Sequence, residues 1–180
     1  MKHLAIVIDW YNPYTVKTAL SAARYDYDSG LYIGVGKRRY QHGASTLQYV
    51  GLSRNLGNRL SQHQKIPMVT RDAKLWLGEV GTAEIAGPKT KRTPASLDAA
   101  EWLHAYFLGL PLNERKTLNP PQRAATVLNR WWRTDYETPW VKRPHPSWPD
   151  LIDYLGPEQP GKLVWFGGKL KRVRPPFSES

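Results

Sequence analysis

Runs of alternating apolar and polar positions predict the strands of this chain. A period of two over residues 30–36, with glycines between the apolar positions, indicates a strand that lies close to another backbone. Residues 46–50 and 75–80 predict two further strands, and residues 4–8 form a short β-rich run near the N-terminus. The polar segment 37–43 joins the first two strands of the main group, which predicts a hairpin with a basic tip.

Apolar residues at helical spacing predict three helices, which cover residues 15–23, 54–63 and 94–108. A fourth helix is predicted over residues 122–133, which follow Pro120 and Pro121 and are rich in Arg. Capping signals support the first three, with N-caps expected at Thr15, Ser53 and Thr93. Pro67 follows the second helix and cannot continue it. Residues 87–92 are predicted to form a basic linker before the third helix.

The C-terminal part of the chain is rich in Pro, Trp and basic residues. Residues 139–160 are predicted to contain at most a short helix over 150–155. Residues 163–174 predict a β-hairpin turned by Gly167 and Gly168, with a cationic second strand. Such a mixture of aromatic and basic residues is typical of a surface that stacks bases and binds phosphates, and equally of a cover over a small core.

The charge balance favours a polyanionic partner. The 180 residues carry 26 Lys and Arg against 15 Asp and Glu, a formal net charge of +11. Nucleic acid is the expected partner, and binding to it should depend on salt. We expect no membrane association, because no run of 18 apolar residues and no long basic amphipathic helix is present. The absence of Cys excludes disulfides and Cys-ligated zinc. Without a signal-peptide pattern at the N-terminus, we expect a cytoplasmic protein.

One motif with a fixed spacing organises the chemistry. Gly30-Leu31-Tyr32 is followed after sixteen residues by Tyr49-Val50-Gly51, then after seven by Arg59 and after three more by His63. Glu101 lies on a later predicted helix, and Asn113 follows it by twelve positions. This pattern, in the order strand, strand, helix, strand, helix, resembles the GIY-YIG nuclease family. The resemblance covers about residues 30–119.

The resemblance implies a fold and a domain organisation. We expect an α/β (α+β) domain over residues 30–119, with a small, mostly antiparallel three-stranded sheet flanked by helices. Residues 1–29 would be an N-terminal extension. Residues 120–180 would be a basic, Trp-rich C-terminal extension that supplies DNA recognition.

The resemblance also implies roles for the six residues, and elementary chemistry agrees with them. Glu101 would bind a single Mg²⁺ or Mn²⁺ ion, and Arg59 would bind a nonbridging phosphate oxygen. Tyr32 would be the general base, with Tyr49 orienting the phosphate or the water, although the two could exchange roles. His63 would accept or relay the phenol proton. Asn113, rather than Asn119, would position substrate or metal-bound water.

Three groups of basic residues are expected to contact the nucleic-acid backbone: Lys37, Arg38, Arg39 and Arg54 near the predicted site, Arg130 and Arg133, and Lys169, Lys171 and Arg172. The separation between Tyr32 and Tyr49 exceeds that usual in the family, so the hairpin would carry an insertion. Position 52, next to the motif glycine, is Leu, which removes one potential polar helper.

The expected function is therefore a metal-dependent DNA endonuclease, restriction-like on duplex DNA. Structure-specific or single-strand cleavage is the first alternative. A noncatalytic nucleic-acid-binding protein that keeps the fold is the second, and a structural or assembly protein is a more remote one. Cutting both strands would need either a homodimer or two successive cuts by one active site.

Overall fold

The computed structural model of the protein describes residues 3–81 and 94–173. The predicted basic linker 87–92 and the predicted N-cap Thr93 lie outside the described residues. Within the described part, no helix is long and apolar enough to cross a lipid bilayer.

A single eight-stranded sheet forms the framework, curled into a half-barrel and ordered β3-β2-β4-β1-β5-β6-β7-β8. Its strands are β1 Leu4–Tyr14, β2 Gly30–Arg38, β3 Thr46–Ser53, β4 Val69–Val80, β5 Ala125–Trp132, β6 Leu151–Tyr154, β7 Gly161–Trp165 and β8 Lys169–Val173. All neighbouring strands are antiparallel except β1 and β5, which run parallel. The sheet is therefore mixed.

The expectation of a small three-stranded sheet flanked by helices is wrong. The three predicted strands do pair as β3-β2-β4, but β4 also pairs with β1, and the sheet continues through four more strands. The reason is that Leu4–Tyr14 is a buried central strand, with Ile8 and Trp10 fully buried between β4 and β5. The N-terminal segment and the C-terminal strands thus extend the same sheet.

Two strands replace predicted helices. Residues 125–132 alternate between buried and more exposed positions, as a strand does, and form β5 instead of the predicted helix 122–133. Residues 151–154 form β6 instead of a short helix over 150–155. The predicted C-terminal hairpin is confirmed as β7 and β8, with Gly167 and Gly168 both at positive φ in its turn.

The helices are α1 Val16–Tyr25, α2 Leu56–Ser61 and α3 Ala95–Leu108, and a 3-10 turn spans Ile66–Met68. The predicted cap Thr15 is confirmed, because its hydroxyl accepts a hydrogen bond from the Thr18 amide at 3.2 Å. Ser53 is not the cap of α2; that role belongs to Asn55, whose side chain accepts from the Asn58 amide at 2.9 Å.

The two faces of the β3-β2-β4 region carry different helices. On one face, Leu31 and Ile33 belong to the same buried cluster as Leu103 of α3. On the other, Tyr32 belongs to a cluster formed with α1 and α2, including Leu60. Because successive side chains of a strand point to opposite faces, Tyr32 lies on the side of α2.

Candidate active site

Tyr32 is fully buried on β2, directly opposite Gly51 of β3. A Cβ atom added at Gly51 would collide with the Tyr32 hydroxyl and would lie 2.8 Å from the Cε1 atom of Tyr49. Glycine is therefore required at position 51 because the Tyr32 phenol crosses over its backbone. This explains in physical terms why a glycine follows the Tyr49-Val50 pair.

Three aromatic rings from separate elements meet at this point. The ring centroids of Tyr32 and Tyr49 are 5.9 Å apart. The His63 ring stands nearly perpendicular to both, at 5.3 Å from Tyr32 and 5.0 Å from Tyr49. Tyr49 is only half buried, so it is the phenol of the pair that reaches the surface.

Arg59 joins the cluster from α2. Its Nε donates a hydrogen bond to the Tyr32 hydroxyl at 3.3 Å, and its guanidinium also interacts with Tyr49. These phenol contacts raise the pKa of Arg59. The side chain is exposed, so the rest of its planar fork of donors can bind an anion.

Three neighbouring effects act on the pKa of Tyr32: burial and Tyr49 raise it, and the hydrogen bond from Arg59 lowers it. Burial is the largest effect, Tyr49 adds to it, and Arg59 only partly offsets them, so the pKa of Tyr32 lies above its ordinary value. A phenol in this environment stays protonated at neutral pH. The geometry therefore favours Tyr32 as a support for Arg59.

His63 is neutral and has a defined tautomer. Burial, followed by the charges of Arg59 and Lys65, lowers its pKa to about 4. Its Nδ1 accepts hydrogen bonds from the backbone amides of Lys65 and Ile66, both at 3.0 Å. The proton of the neutral ring must then be on Nε2. In this state Nε2 cannot accept a proton, and the atom is buried with no hydrogen-bond partner among the described residues.

Asn113 contacts the backbone at the outer edge of β3. Its Oδ1 accepts from the Val50 amide at 2.8 Å, and its Nδ2 donates to the Val50 carbonyl at 2.7 Å. The adjacent Leu112 amide donates to the Gln48 carbonyl at 3.0 Å. Both polar groups of Asn113 are thus occupied, one residue away from Tyr49.

Glu101 reaches the same edge of β3 from α3. Its carboxylate accepts a hydrogen bond from the Leu52 backbone, and its Oε2 lies 2.6 Å from Nζ of Lys116. Lys116 also contacts Asp98 at 2.8 Å. Burial raises the pKa of Glu101, and Lys116 opposes that rise without cancelling it.

A divalent ion at Glu101 would have to compete with Lys116. The buried carboxylate needs a positive partner, which fits a cation site, and Mg²⁺ is often held by one carboxylate together with water and substrate phosphate. In the structure the positive partner is the Lys116 ammonium. Among the described residues, no group of three or more His, Asp or Glu side chains could hold a metal by itself.

The structure thus brings Tyr32, Tyr49, Arg59 and His63 into direct contact, and it places Glu101 and Asn113 on the neighbouring edge of β3. Sequence reasoning missed Lys116. Asp98 and Glu101 share a face of α3, three residues apart, and such a pair needs a cation, which was the available signal.

The predicted DNA-contacting residues lie in several environments. Lys37 pairs with Asp72 at 3.4 Å, and Arg130 forms a bidentate ion pair with Asp9 at 2.7 Å for both contacts. Arg38, Arg39 and Arg54 are exposed. Arg133 lies over the Trp140 ring and Lys169 over the Trp165 ring. Lys171 and Arg172 lie on the exposed strand β8.

Comparisons with family models, curated proteins and solved structures found no match to this chain.

Proposed function

We propose that the protein is a DNA endonuclease that hydrolyses phosphodiester bonds at the cluster of Tyr32, Tyr49, Arg59 and His63. The observation that carries the proposal is the meeting of these four side chains, which come from β2, β3, α2 and the turn after it. A buried aromatic support, an exposed guanidinium and a surface-reaching phenol are suited to binding a phosphate.

The roles follow from burial and hydrogen bonding. Arg59 binds a nonbridging oxygen and neutralises charge that grows on the phosphoryl group. Tyr32 holds Arg59, while Tyr49, the more accessible phenol, faces the attacking water or the phosphate. The attacking water gives its proton to solvent, and the leaving 3′ oxygen takes a proton from solvent water, because neither Tyr32 nor His63 can accept a proton. His63 packs its neutral ring nearly perpendicular to both tyrosine rings and so holds them in place. Of the two tyrosine assignments that the sequence left open, the deep burial of Tyr32 favours Tyr49 as the residue that contacts the reacting atoms.

Glu101 is the residue that would hold Mg²⁺ or Mn²⁺, with Lys116 moving aside. An ion there would neutralise a phosphoryl oxygen and lower the pKa of a bound water. Asn113 acts at a distance, as a positioning residue that fixes the β3 edge beside Tyr49.

A noncatalytic DNA-binding protein is the second candidate. Two features favour it: burial raises the pKa of the Tyr32 phenol, and the Glu101 carboxylate is already paired with Lys116. This protein would bind DNA through Arg59 and the exposed basic residues in the presence of a chelator, with strong salt dependence.

The deciding experiment is cleavage of labelled duplex and single-stranded DNA with Mg²⁺ or Mn²⁺, comparing the wild type with Arg59→Gln, Tyr49→Phe and Glu101→Gln. Arg123→Gln is the matched control, because it removes the same charge from an exposed position elsewhere. We expect metal-dependent cleavage by the wild type and the control, and a loss of about 100-fold or more in Arg59→Gln.

DNA binding in chelator without cleavage under any condition would select the noncatalytic candidate. Absence of both binding and cleavage would reject both.

A further inference from the structure

A groove lies at the tip of the β2–β3 hairpin, away from the aromatic cluster. Its volume is 540 Å³, and it is lined by Arg38, Arg39, Tyr40, Gln41, Met68 and Thr70. We call it the hairpin groove. It is open to solvent, and it combines two exposed guanidinium groups with an exposed aromatic ring.

Tyr40 is presented outward at a conformational cost. Its side chain is 77% exposed, and its φ of 66° lies in the left-handed region that residues with a Cβ rarely adopt. The Arg39 guanidinium lies 5.0 Å from the centre of its ring. With Arg39 against the ring and most of the side chain exposed, ring surface remains available for an external partner.

The hairpin tip is held in place by side-chain hydrogen bonds. Gln41 Oε1 accepts from the Arg38 amide at 3.1 Å and from Gln48 Nε2 at 2.9 Å, and Gln41 Nε2 donates to Thr46 Oγ1 at 3.0 Å. Arg71 donates to the Gln41 carbonyl. A loop fixed in this way loses little conformational entropy when it binds a ligand.

The groove carries positive charge from Arg38 and Arg39. Within residues 3–81 and 94–173, neither Arg38 nor Arg39 forms an ion pair with a carboxylate, whereas Lys37 next to them pairs with Asp72. Two guanidinium groups that have no carboxylate partner among the described residues, on a chain of net charge +11, favour an anion, and guanidinium geometry suits a phosphate.

We propose that the hairpin groove binds unpaired nucleotides of single-stranded DNA, with a base stacked on Tyr40 and phosphates bound by Arg38 and Arg39. An unpaired strand is favoured over a duplex because stacking on Tyr40 needs a free base face, and bases inside a duplex are covered by their neighbours.

The groove extends the proposed active site along the same hairpin. Gly34 pairs with Tyr49, and Arg38 lies four residues further along β2, about 13 Å at the usual rise of a strand. A strand bound at Arg59 would reach the groove a few nucleotides from the scissile bond. This part of the inference rests on the proposed nuclease function; the binding itself does not.

The test is fluorescence anisotropy with a labelled oligothymidine strand, the same strand annealed to its complement, and an abasic strand of equal length, all in EDTA so that nothing is cut. Tyr40→Leu should weaken binding of the oligothymidine about 10-fold and leave the other two unchanged. Tyr40→Trp should keep the affinity. Tyr25→Leu is the matched control, because Tyr25 is 84% exposed and lies outside the groove.

Arg38→Gln and Arg39→Gln should each weaken the binding of all three ligands. Each should also reduce the salt dependence of single-strand binding, by about 0.7 in the slope of the logarithm of the binding constant against the logarithm of the salt concentration. Equal effects of Tyr40→Leu on oligothymidine and abasic strands, or no effect on either, would overturn the inference, as would a wild type that does not bind the single strand. If cleavage is observed while Tyr40→Leu binds normally, only the groove is rejected. If Tyr40 supports binding but no metal gives cleavage, only the nuclease proposal fails.

Discussion

The side chain of Asn113 pairs with the backbone of Val50 through two hydrogen bonds, 2.8 Å to the amide and 2.7 Å to the carbonyl, as a neighbouring strand would. β3 is the terminal strand of the sheet at this end, and an exposed strand edge carries unpaired backbone groups. Asn113 satisfies two of them. It thereby fixes the segment of β3 that holds Tyr49.

Replacing Asn113 with Ala should leave both buried groups of Val50 unsatisfied. We expect a loss of about 2–4 kcal/mol in the free energy of unfolding, measured by urea denaturation. Asn119→Ala is the control, because Asn119 is exposed. Equal stability of the two variants would show that the edge contact contributes little.

Gly51 and Gly34 offer a matched pair of substitutions in the hairpin. An added Cβ at Gly51 collides with the Tyr32 hydroxyl, whereas at Gly34 its nearest neighbour is Leu75 Cδ2 at 3.8 Å. Gly51→Ala should therefore displace Tyr32 and destabilise the protein by about 1–3 kcal/mol. It should also abolish any cleavage.

Gly34→Ala should change stability and cleavage little, because 3.8 Å between the added Cβ and Leu75 Cδ2 is an ordinary van der Waals contact. The measurements are thermal denaturation and the cleavage assay on both variants. Similar behaviour of the two would mean that the phenol position does not depend on the glycine.

Local sequence signals were sufficient for the hairpin and for the helix that carries Arg59. The spacing placed Tyr32 and Tyr49 on adjacent strands and Arg59 on the following helix, and the structure has the same arrangement. The Thr15 cap was predictable for the same reason, since capping depends on a few neighbouring residues.

The full sheet was not predictable in this way, because its pairings are long-range. Leu4 pairs with Ala125 in a parallel register, and nothing near either residue indicates the other. Trp131 and Trp132 were assigned to a helix on the basis of flanking prolines and arginines. Their alternation between buried and half-buried positions becomes visible only when β1 lies beside them.

The chemistry of the site was only partly predictable. Sequence reasoning expected Tyr32 to lose a proton, but burial acts against that, and burial depends on packing of α1 and α2 over β2. Lys116 was missed because its contact with Glu101 depends on the path of the chain after α3.

The pH dependence of cleavage tests the tyrosine assignment. Because burial keeps the pKa of Tyr32 above its ordinary value, this phenol remains protonated between about pH 7 and pH 9. Tyr32→Phe should lower the rate by loosening Arg59 but keep the slope of rate against pH over that range. A slope that disappears in Tyr32→Phe would identify Tyr32 as the general base.

Lys116 should weaken metal binding at Glu101. In Lys116→Met the carboxylate loses the ammonium at 2.6 Å, so the Mn²⁺ concentration for half-maximal binding should fall about 10-fold. Binding of Mn²⁺ can be followed by electron paramagnetic resonance without DNA. Lys162→Met, which removes a lysine 3.9 Å from Asp153, is the control. An unchanged affinity in Lys116→Met would contradict a metal site at Glu101.

Protonation of buried histidines should destabilise the fold in acid. His104 is fully buried, with Nδ1 2.7 Å from the Ala100 carbonyl and Nε2 3.0 Å from Oδ1 of Asn129. Burial lowers its pKa to about 4, and these two contacts only partly oppose that effect. The unfolded chain binds a proton at this ring below about pH 6.5, whereas the folded protein does not until about pH 4. The contribution of His104 to the free energy of unfolding is therefore fully present above pH 6.5. It is lost as the pH decreases from about 6.5 to about 4, by up to about 3 kcal/mol.

Urea denaturation between about pH 7 and pH 4.5 measures this fall. In His104→Gln the fall should be smaller, because one of the two histidines with a lowered pKa is gone and only His63 still contributes. The comparison rests on the pH dependence within each variant, so a lower stability of His104→Gln at neutral pH does not affect it. His42→Gln, at an exposed position, should keep the wild-type fall. The same fall in His104→Gln as in the wild type would show that the buried imidazole is already protonated in the folded protein.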